Sequence, residues 1–427
     1  MLSTIPPTLL CLSNGHGEDA IAVAILRQIQ AIAPDIELLA LPIVGEGRAY
    51  SKLPGVAIAG HVKAMPSGGF NYMNGREFWR DVRGGLLGLT WAQIATTRSW
   101  AKRGAVVLAA GDIVPLAMAR LSGADFAFVG TAKSEYYLRD EIGPIPRPGI
   151  SDAIERLSGS VYLPWERWLL SSKRCRAIFP RDSLTAKVLN KFNLPAYDLG
   201  NPMMDELEPS ERCRNAIESR SLTVLLLPGS RSPEAANNWE VILRAVPPIR
   251  EAFADRAVTF VAAIAPGLNL DDFALPLERY GWRPVRDVPD WLDDARARCF
   301  SLARAQLVLS QHAYADCLHR SDIALAMAGT ATEQFVGLGK PAIVFPGAGP
   351  QFTPAFAEAQ ARLLGSSLIR LPRPEVAVDT VVRLLKSPDW LQNIADNGRR
   401  RMGDAGAARR IAECVADRLF DKQVNER

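Results

Sequence analysis

The chain has little excess charge, no long apolar run and no clustered cysteines, and each absence excludes a class of protein. Its 50 basic and 46 acidic side chains leave a net charge of +4 over 427 residues, which is too small for nucleic acid to be its main partner. No stretch approaches the roughly 18–20 apolar residues of a membrane-spanning helix. The six cysteines are scattered, without a C-x-x-C pair, so we expect reduced thiols, no disulfide framework and no zinc site.

What is present is the composition of an ordinary globular protein. The chain is 48% hydrophobic and 22% charged, and it is long enough for two or three domains with separate cores. Its first residues lack a basic segment and continue directly into a predicted strand, so we expect no signal peptide. A cytoplasmic protein is the expectation.

The N-terminal segment has the order strand, glycine-rich loop, helix. An apolar run at 8–13 is followed by Gly15, His16 and Gly17, and residues 18–32 have a helical pattern. This is typical of the first unit of a Rossmann-like domain, but the G-x-G-x-x-G pattern of a dinucleotide site is absent. His16 would follow the first strand, where open α/β sheets bind ligands. It is a candidate for catalysis or substrate contact, and local hydrogen bonding is the alternative.

Residues 70–103 interleave aromatic and basic side chains. Six basic and two acidic residues give this segment a net charge of 6 − 2 = +4. Its glycines predict two helices around an apolar turn at 86–89. Such a segment suits the headgroup region of an anionic membrane, or its aromatic residues belong to the core and its arginines to a solvated surface. Both interpretations remain open, and the membrane candidates are Phe78, Trp79, Arg80, Arg83 and Trp91.

A predicted buried strand at 105–110 ends in Gly111-Asp112. A carboxylate at the end of a central strand can act as a general base, and Asp is also a frequent helix N-cap. Both roles are compatible. Lys133 follows the next strand and is a candidate for the same region.

A polar stretch at 206–220 predicts a linker, and alternating strands and helices resume after it. Before this linker a helix is predicted at 183–190. After it, a strand at 223–227 leads to Ser230-Arg231, and a helix at 239–253, a strand at 258–263 and a segment at 301–309 continue the unit. A strand at 323–327 leads through a small-residue turn at 328–331 into a helix at 332–338. The second turn directs backbone N–H groups and a helix dipole at one point, which suits a phosphate. The pattern predicts an α/β protein with two Rossmann-like domains facing across a cleft. The predicted domains are 1–205, 206–385 and a pair of C-terminal helices at 386–427 that packs back toward the first domain.

Several motifs occur in an order that resembles the GT-B glycosyltransferases. They are the glycine-rich loop, Gly111-Asp112, Phe179-Pro180-Arg181-Asp182, Gly200-Asn201-Pro202, Leu227-Pro228-Gly229-Ser230-Arg231, Gly329-Thr330-Ala331-Thr332 and the closing helix with Gly406-Ala407-Ala408-Arg409-Arg410. Within that class the chain is most similar to lipid-A-disaccharide synthase, and most of all to its divergent branch in photosynthetic bacteria. The resemblance covers most of the chain.

The resemblance implies a UDP-sugar site in the C-terminal domain. The residues implied to bind the donor are Ser230, Arg231, Gly329, Thr330, Ala331, Glu333, Gln334, Gln351 and Asn201. The family has a ribose-binding Glu at the position of Gln334, whereas this chain has its Glu one residue earlier, at Glu333. UDP-sugar would be a co-substrate, and no cofactor or metal is expected.

The resemblance further implies an inverting transfer of a hexose or N-acetylhexosamine to a lipid acceptor at the inner face of a cytoplasmic membrane. Asp112 or His16 would be the base, and Gly15, Gly17 and Lys133 would contact the acceptor. The acceptor motifs depart from those of the synthase, so the acceptor need not be a lipid A precursor. The alternatives are a UDP-sugar epimerase of the same fold and a non-catalytic binding protein.

Overall fold

The computed structural model describes residues 6–60, 62, 86–145, 157–216 and 221–425. The chain divides into two compact units. The first comprises Met1–Asp205 and Asp404–Arg427, and the second comprises Glu206–Gly403. Within the described ranges, none of the helices is long and apolar enough to cross a membrane.

The first unit contains a six-stranded parallel sheet with the strand order β3-β2-β1-β4-β5-β6. Its central strands are continuous buried apolar runs, as expected where helices cover both faces of a parallel sheet. The strands are β1 (Thr8–Ser13), β2 (Glu37–Pro42), β3 (Val56–Ile58), β4 (Val106–Gly111), β5 (Phe126–Gly130) and β6 (Cys175–Pro180).

Helices pack on this sheet and enclose two apolar clusters. They are α1 (His16–Ile32), α2 (Leu86–Lys102), α3 (Ile113–Ser122), α4 (Pro164–Leu170), α5 (Ser183–Asn190) and, from the end of the chain, α15 (Ala407–Asn425). The buried side chains of Ile411, Val415 and Leu419 on α15 join the cluster formed by α1 and β1. The last helix therefore completes the core of the first unit.

The second unit contains an eight-stranded sheet with the order β14-β13-β12-β7-β8-β11-β10-β9, in which β10 is antiparallel to both of its neighbours, β9 and β11. The strands are β7 (Leu222–Leu227), β8 (Val258–Ala263), β9 (Arg283–Val285), β10 (Arg298–Leu302), β11 (Ala305–Ser310), β12 (Ile323–Ala326), β13 (Ala342–Val344) and β14 (Leu368–Arg370). The helices are α6 (Glu211–Asn215), α7 (Glu234–Leu243), α8 (Val246–Ala252), α9 (Asp271–Arg279), α10 (Tyr314–Arg320), α11 (Thr330–Gly337), α12 (Pro354–Leu364), α13 (Ala377–Leu385) and α14 (Pro388–Met402).

Three local predictions differ from the structure. The predicted turn at 86–89 is the first turn of α2, in which the partly buried Leu89 packs against the core. The predicted helix at 239–253 is two helices, and the second begins with Pro247 in its first turn, where proline is tolerated. The segment 301–309 contains a tight turn between the antiparallel strands β10 and β11, with Ala303 at φ 54°.

The two predicted C-terminal helices pack on different units. Helix α14 packs on α11 and belongs to the second unit, whereas α15 packs on α1 in the first. Asp205 explains how α15 is placed. Its carboxylate accepts hydrogen bonds from the backbone N–H groups of Gly406, Ala407 and Ala408, at 2.6–3.1 Å, and so satisfies the donors at the start of the helix.

Candidate active site

Each sheet has one position at which successive strands change from being added on one side to being added on the other. Open α/β sheets bind ligands at such a reversal point. In the first unit the reversal lies between β1 and β4, and in the second it lies between β7 and β12. The residues that follow these four strands are therefore the first place to look for a site.

A cavity of about 510 Å³ lies at the carboxyl ends of β7, β8, β11 and β12 in the second unit. This volume is in the range of small-molecule sites. It is lined by residues 227–231 after β7, 263–266 after β8 and 327–331 after β12, together with residues from α7, α10, α11 and the loop after β13.

The N-terminus of α11 forms part of the cavity wall. Gly329 is the N-cap and has no capping side chain, and Thr330 and Ala331 begin the helix. The positive end of the helix dipole and backbone N–H groups favour an anion at such a position. Arg231, whose side chain is exposed, lines the same cavity. A guanidinium group is a permanently charged, forked phosphate ligand.

Two buried side-chain amides, those of Asn238 and Gln360, hold the loops after β7 and β12 in place. Asn238 Nδ2 donates to Pro228 O at 3.0 Å and to Met327 O at 3.3 Å, so it joins the loops after β7 and β12. Gln360 Nε2 donates to Ala328 O at 3.1 Å and to Gly329 O at 3.2 Å. The turn at Gly329 is therefore fixed from two sides before any ligand binds.

Gly229 has φ 104°, and a Cβ there would lie 3.3 Å from Met327 O. The conformation and the close approach of the two loops both favour glycine at this position.

Glu234 on α7 holds the loop after β13 at the cavity. This buried carboxylate accepts hydrogen bonds through Oε1 from Phe352 N at 2.6 Å and Gln351 N at 3.2 Å. A Cβ on Gly349 would lie 2.1 Å from Glu234 Oε1, so glycine is required where the loop passes over the carboxylate. Gln351 and Phe352 both line the cavity.

Gln334, rather than Glu333, lines the cavity on α11. Tyr314 Oη donates to Gln334 Oε1 at 2.6 Å and so orients the amide group. Burial raises the pKa of Tyr314 above its usual range, so the phenol remains a hydrogen-bond donor at neutral pH.

In the first unit, Asp112 caps a helix, as its position predicted, and its role as a base stays a prediction. Its Oδ1 accepts from Val114 N at 2.8 Å and caps α3, and its Oδ2 accepts from Asn14 Nδ2 at 2.9 Å. Asn14 follows β1 and is buried. The carboxylate therefore lies at the reversal point between β1 and β4.

Glu18 is a second carboxylate at this point. It lies in the first turn of α1, and Thr131 Oγ1, after β5, lies 3.4 Å from Glu18 Oε1. Burial raises the pKa of Glu18, and the negative charges of Asp112 and Asp19 raise it further. Glu18 begins the helical pattern predicted at 18–32, and nothing local in the sequence shows that its carboxylate is partly buried.

The remaining predicted residues lie in different places. His16 is the first residue of α1 rather than a loop residue, and Gly15 is the N-cap of that helix, with φ 130°. Gly17 follows within the helix. Lys133 donates to Glu166 Oε2 and to Val161 O, so a structural ion pair occupies its ammonium group.

Asn201 belongs to the first unit, where its Oδ1 accepts from Met203 N at 3.1 Å and caps a short 3₁₀ helix. It does not line the cavity of the second unit. Trp91 is 71% exposed on α2. The other predicted membrane contacts, Phe78, Trp79, Arg80 and Arg83, lie outside the described residues.

The cysteines of the described chain are free thiols, and all except the half-buried Cys414 are buried. Across the described ranges, no group of three or more His, Cys, Asp or Glu side chains is placed to hold a metal ion.

No protein-family model and no curated protein sequence matches the chain. Solved structures do match over nearly its full length. MurG from Acinetobacter baumannii is 14% identical, with a TM-score of 0.54, and the match covers 96% of this chain and 100% of MurG. UDP-GlcNAc 2-epimerase from Neisseria meningitidis, solved with UDP-GlcNAc bound, is 15% identical, with a TM-score of 0.53 and coverage of 96% and 100%. UGT2 from Phytolacca americana, solved with UDP-2-fluoro-glucose and pterostilbene, is 14% identical, with a TM-score of 0.56 and coverage of 97% and 99%.

These matches define the fold of the chain. It is an α/β protein of the GT-B class, with a parallel sheet in the first unit and a mainly parallel sheet in the second. The predicted fold class is thereby confirmed. At such low identity, the fold class alone does not fix which reaction the chain performs.

Proposed function

We propose that the chain is an inverting glycosyltransferase that moves a hexose or N-acetylhexosamine from a UDP-sugar to a lipid acceptor. The observation that carries the proposal is the cavity at the reversal point of the second sheet, which is lined by both the N-terminus of α11 and Arg231. The neighbours solved with UDP-GlcNAc or a UDP-glucose analogue support a nucleotide-sugar ligand.

On the donor side, the cavity would bind the diphosphate and stabilise it as it leaves. The bond between the sugar and the diphosphate breaks, and the developing negative charge faces the helix dipole and the guanidinium group of Arg231. Fixed dipoles and charges of this kind are a large source of transition-state stabilisation. We propose that they suffice without a metal ion.

On the acceptor side, we assign Asp112 as the base, with His16 as the alternative. The carboxylate takes the proton of the acceptor hydroxyl, and the resulting oxygen attacks the anomeric carbon from the side opposite the leaving group. Attack from that side inverts the configuration. Asn14 and the backbone N–H of Val114 hold the carboxylate in a fixed position.

The lipid acceptor and a position at the inner face of a cytoplasmic membrane are part of the same proposal. They rest on the sequence resemblance to lipid-A-disaccharide synthase. The acceptor is proposed as a membrane lipid with a free hydroxyl group, without further identification.

A thermal-shift screen of the full chain against UDP, UDP-glucose and UDP-GlcNAc tests donor binding. At a ligand concentration of about 100 times Kd, binding adds about 2.7 kcal/mol to the free energy of unfolding. Arg231→Ala should lose most of this shift, whereas Arg283→Ala, at an exposed position of β9 away from the cavity, should keep it. The absence of a shift with every UDP compound would overturn the proposal.

A UDP-sugar epimerase is the second candidate, because an epimerase structure matches as much of the chain as the transferase structures do. Incubation with UDP-GlcNAc alone, followed by analysis of the released sugar, separates the two. A new sugar epimer without any acceptor supports the epimerase. Nucleotide binding without turnover on any acceptor supports a non-catalytic binding protein.

A further inference from the structure

Three tryptophans of the first unit lie on the surface instead of in the core. Trp91 on α2 is 71% exposed, and Trp165 and Trp168 on α4 are 55% and 61% exposed. Leu121 at the end of α3 is 48% exposed. A group of large exposed apolar side chains marks an interaction surface more often than chance exposure does.

These side chains belong to one surface, because α3 contacts both α2 and α4. Arg98 on α2 donates through Nε to Leu121 O at 3.0 Å. Arg120, beside Leu121, donates through Nη1 to Trp168 O and Leu169 O, both at 3.0 Å. The end of α3 is thus bonded to α2 on one side and to α4 on the other.

The charge of this surface has one sign. Helices α2, α3 and α4 contain Arg98, Lys102, Arg120 and Arg167, and their one acidic residue is Glu166. Glu166 is buried and paired with Lys133, so the exposed charged side chains of these three helices are all basic.

The cations also lie beside the aromatic rings. The guanidinium carbon of Arg120 is 4.0 Å from the centre of the Trp168 ring. Arg98 follows Trp91 by seven residues on α2, which places the two within about 20° of each other around the helix.

Core packing does not explain the exposed rings. Trp100, on the same helix as Trp91, does pack against the buried core, so the fold places aromatic residues of α2 both inside and outside. The sequence left this distinction open, and it did not indicate Trp165 or Trp168 as membrane contacts.

We propose that the surface of Trp91, Leu121, Trp165 and Trp168, with Arg98, Lys102 and Arg120, docks on an anionic phospholipid bilayer. Tryptophan rings lie favourably at the headgroup level, and adjacent cations attract anionic lipids. The uniform positive charge favours this partner over a protein surface of mixed charge. The proposal deepens the proposed function by naming the surface through which the protein would reach a lipid acceptor.

Co-sedimentation of the full chain with vesicles tests the proposal. Vesicles of phosphatidylcholine with phosphatidylglycerol should bind the protein, pure phosphatidylcholine vesicles should bind it much more weakly, and high salt should release it. Replacing Trp91, Trp165 and Trp168 together by serine should lower the partition coefficient by at least about tenfold. Arg98→Gln and Lys102→Gln should each lower it about fivefold.

Leu275→Ser and Tyr280→Ser in the second unit are matched controls. These side chains are 59% and 46% exposed, and their replacement should leave vesicle binding unchanged. Equal binding of the tryptophan variant and the parent chain, or no binding to anionic vesicles, would overturn the proposal. A dimer in light scattering that the tryptophan variant loses would assign the surface to a second copy instead.

The thermal shift with UDP-sugars separates this result from the proposed function. The tryptophan variant should keep the shift and the melting temperature of the parent chain, which shows that it is folded. Vesicle binding without any nucleotide shift would retain the docking surface and reject the transferase.

Discussion

Among single residues, Asp112 and Glu18 are carboxylates at the same reversal point in different surroundings. The Asp112 carboxylate accepts hydrogen bonds from the Asn14 side-chain amide and from the Val114 backbone N–H. These hydrogen bonds hold the Asp112 carboxylate in a fixed orientation. Burial and neighbouring negative charge raise the pKa of Glu18. Glu18 keeps its proton to a higher pH than an ordinary Glu side chain does.

Asp112→Asn should lower turnover by about 10²- to 10⁴-fold, the usual contribution of a general base. Asparagine caps helices as well as aspartate does, so the melting temperature should stay close to that of the parent chain. Steady-state rates and thermal unfolding measure the two effects. If Asp112→Asn keeps its turnover and His16→Ala loses it, the base is His16, and if both retain turnover the assignment of the base is wrong.

Glu18→Gln should change how stability depends on pH. Since the pKa of Glu18 is raised on folding, the folded chain binds this proton more tightly than the unfolded chain, and stability falls as pH rises from the ordinary Glu pKa through the raised one. Glutamine does not titrate, so the variant should gain stability relative to the parent as pH rises through that range. Urea unfolding at a series of pH values measures this difference. A pH-independent difference would contradict the assigned cause.

Among the structural elements, α7 organises the candidate donor site although few of its side chains face the cavity. Glu234 holds the loop after β13, and Asn238, one turn later, holds the loops after β7 and β12. Residues four apart lie on one face of a helix. A single helical face therefore positions three of the loops that line the cavity.

Glu234→Ala should weaken UDP-sugar binding by about tenfold or more, because hydrogen bonds to a charged group contribute about 1.5–3 kcal/mol each. Glu234→Gln keeps a carbonyl acceptor and should lose less. Glu240→Gln on the same helix is the control, because Glu240 pairs with Arg279 at the surface. Calorimetric titration with the nucleotide sugar measures the affinities. Equal affinity in all three variants would show that Glu234 does not position the loop.

At the level of the whole molecule, the chain leaves the first unit after Asp205 and returns to it at Asp404. The return depends on the three backbone hydrogen bonds that Asp205 accepts from the start of α15. The apolar side chains of α15 then fill the core around α1.

Asp205→Ala should lower the free energy of unfolding of the first unit by about 1.5–3 kcal/mol, because the start of α15 loses its acceptor. Asp198→Ala, at an exposed position of the same unit, should leave it unchanged. Hydrogen exchange resolved by segment measures this, with faster exchange in α15 and α1. The second unit should exchange at its original rate, and uniform acceleration of both units would contradict the division.

Much of the fold was predictable because buried parallel strands are continuous apolar runs. The predicted bounds of β1 (8–13), β8 (258–263) and α5 (183–190) agree with the structure. The glycine-rich turns after β7 and β12 were also predictable, and Ser230, Arg231, Gly329, Thr330, Ala331, Gln334 and Gln351 all line one cavity. Their binding of a donor stays a prediction.

Local periodicity, glycine and proline are enough to predict the alternation of strands and helices, the α/β class and the positions of the turns. Tertiary packing sets which carboxylate is buried, which tryptophans are exposed and which side chain holds which loop. The hydrogen bonds that Asp205 accepts from the start of α15 join residues about 200 positions apart. Those that Glu234 accepts from the loop after β13 join residues more than 100 positions apart. Such contacts depend on how sheets and helices pack, and local sequence patterns do not predict this packing.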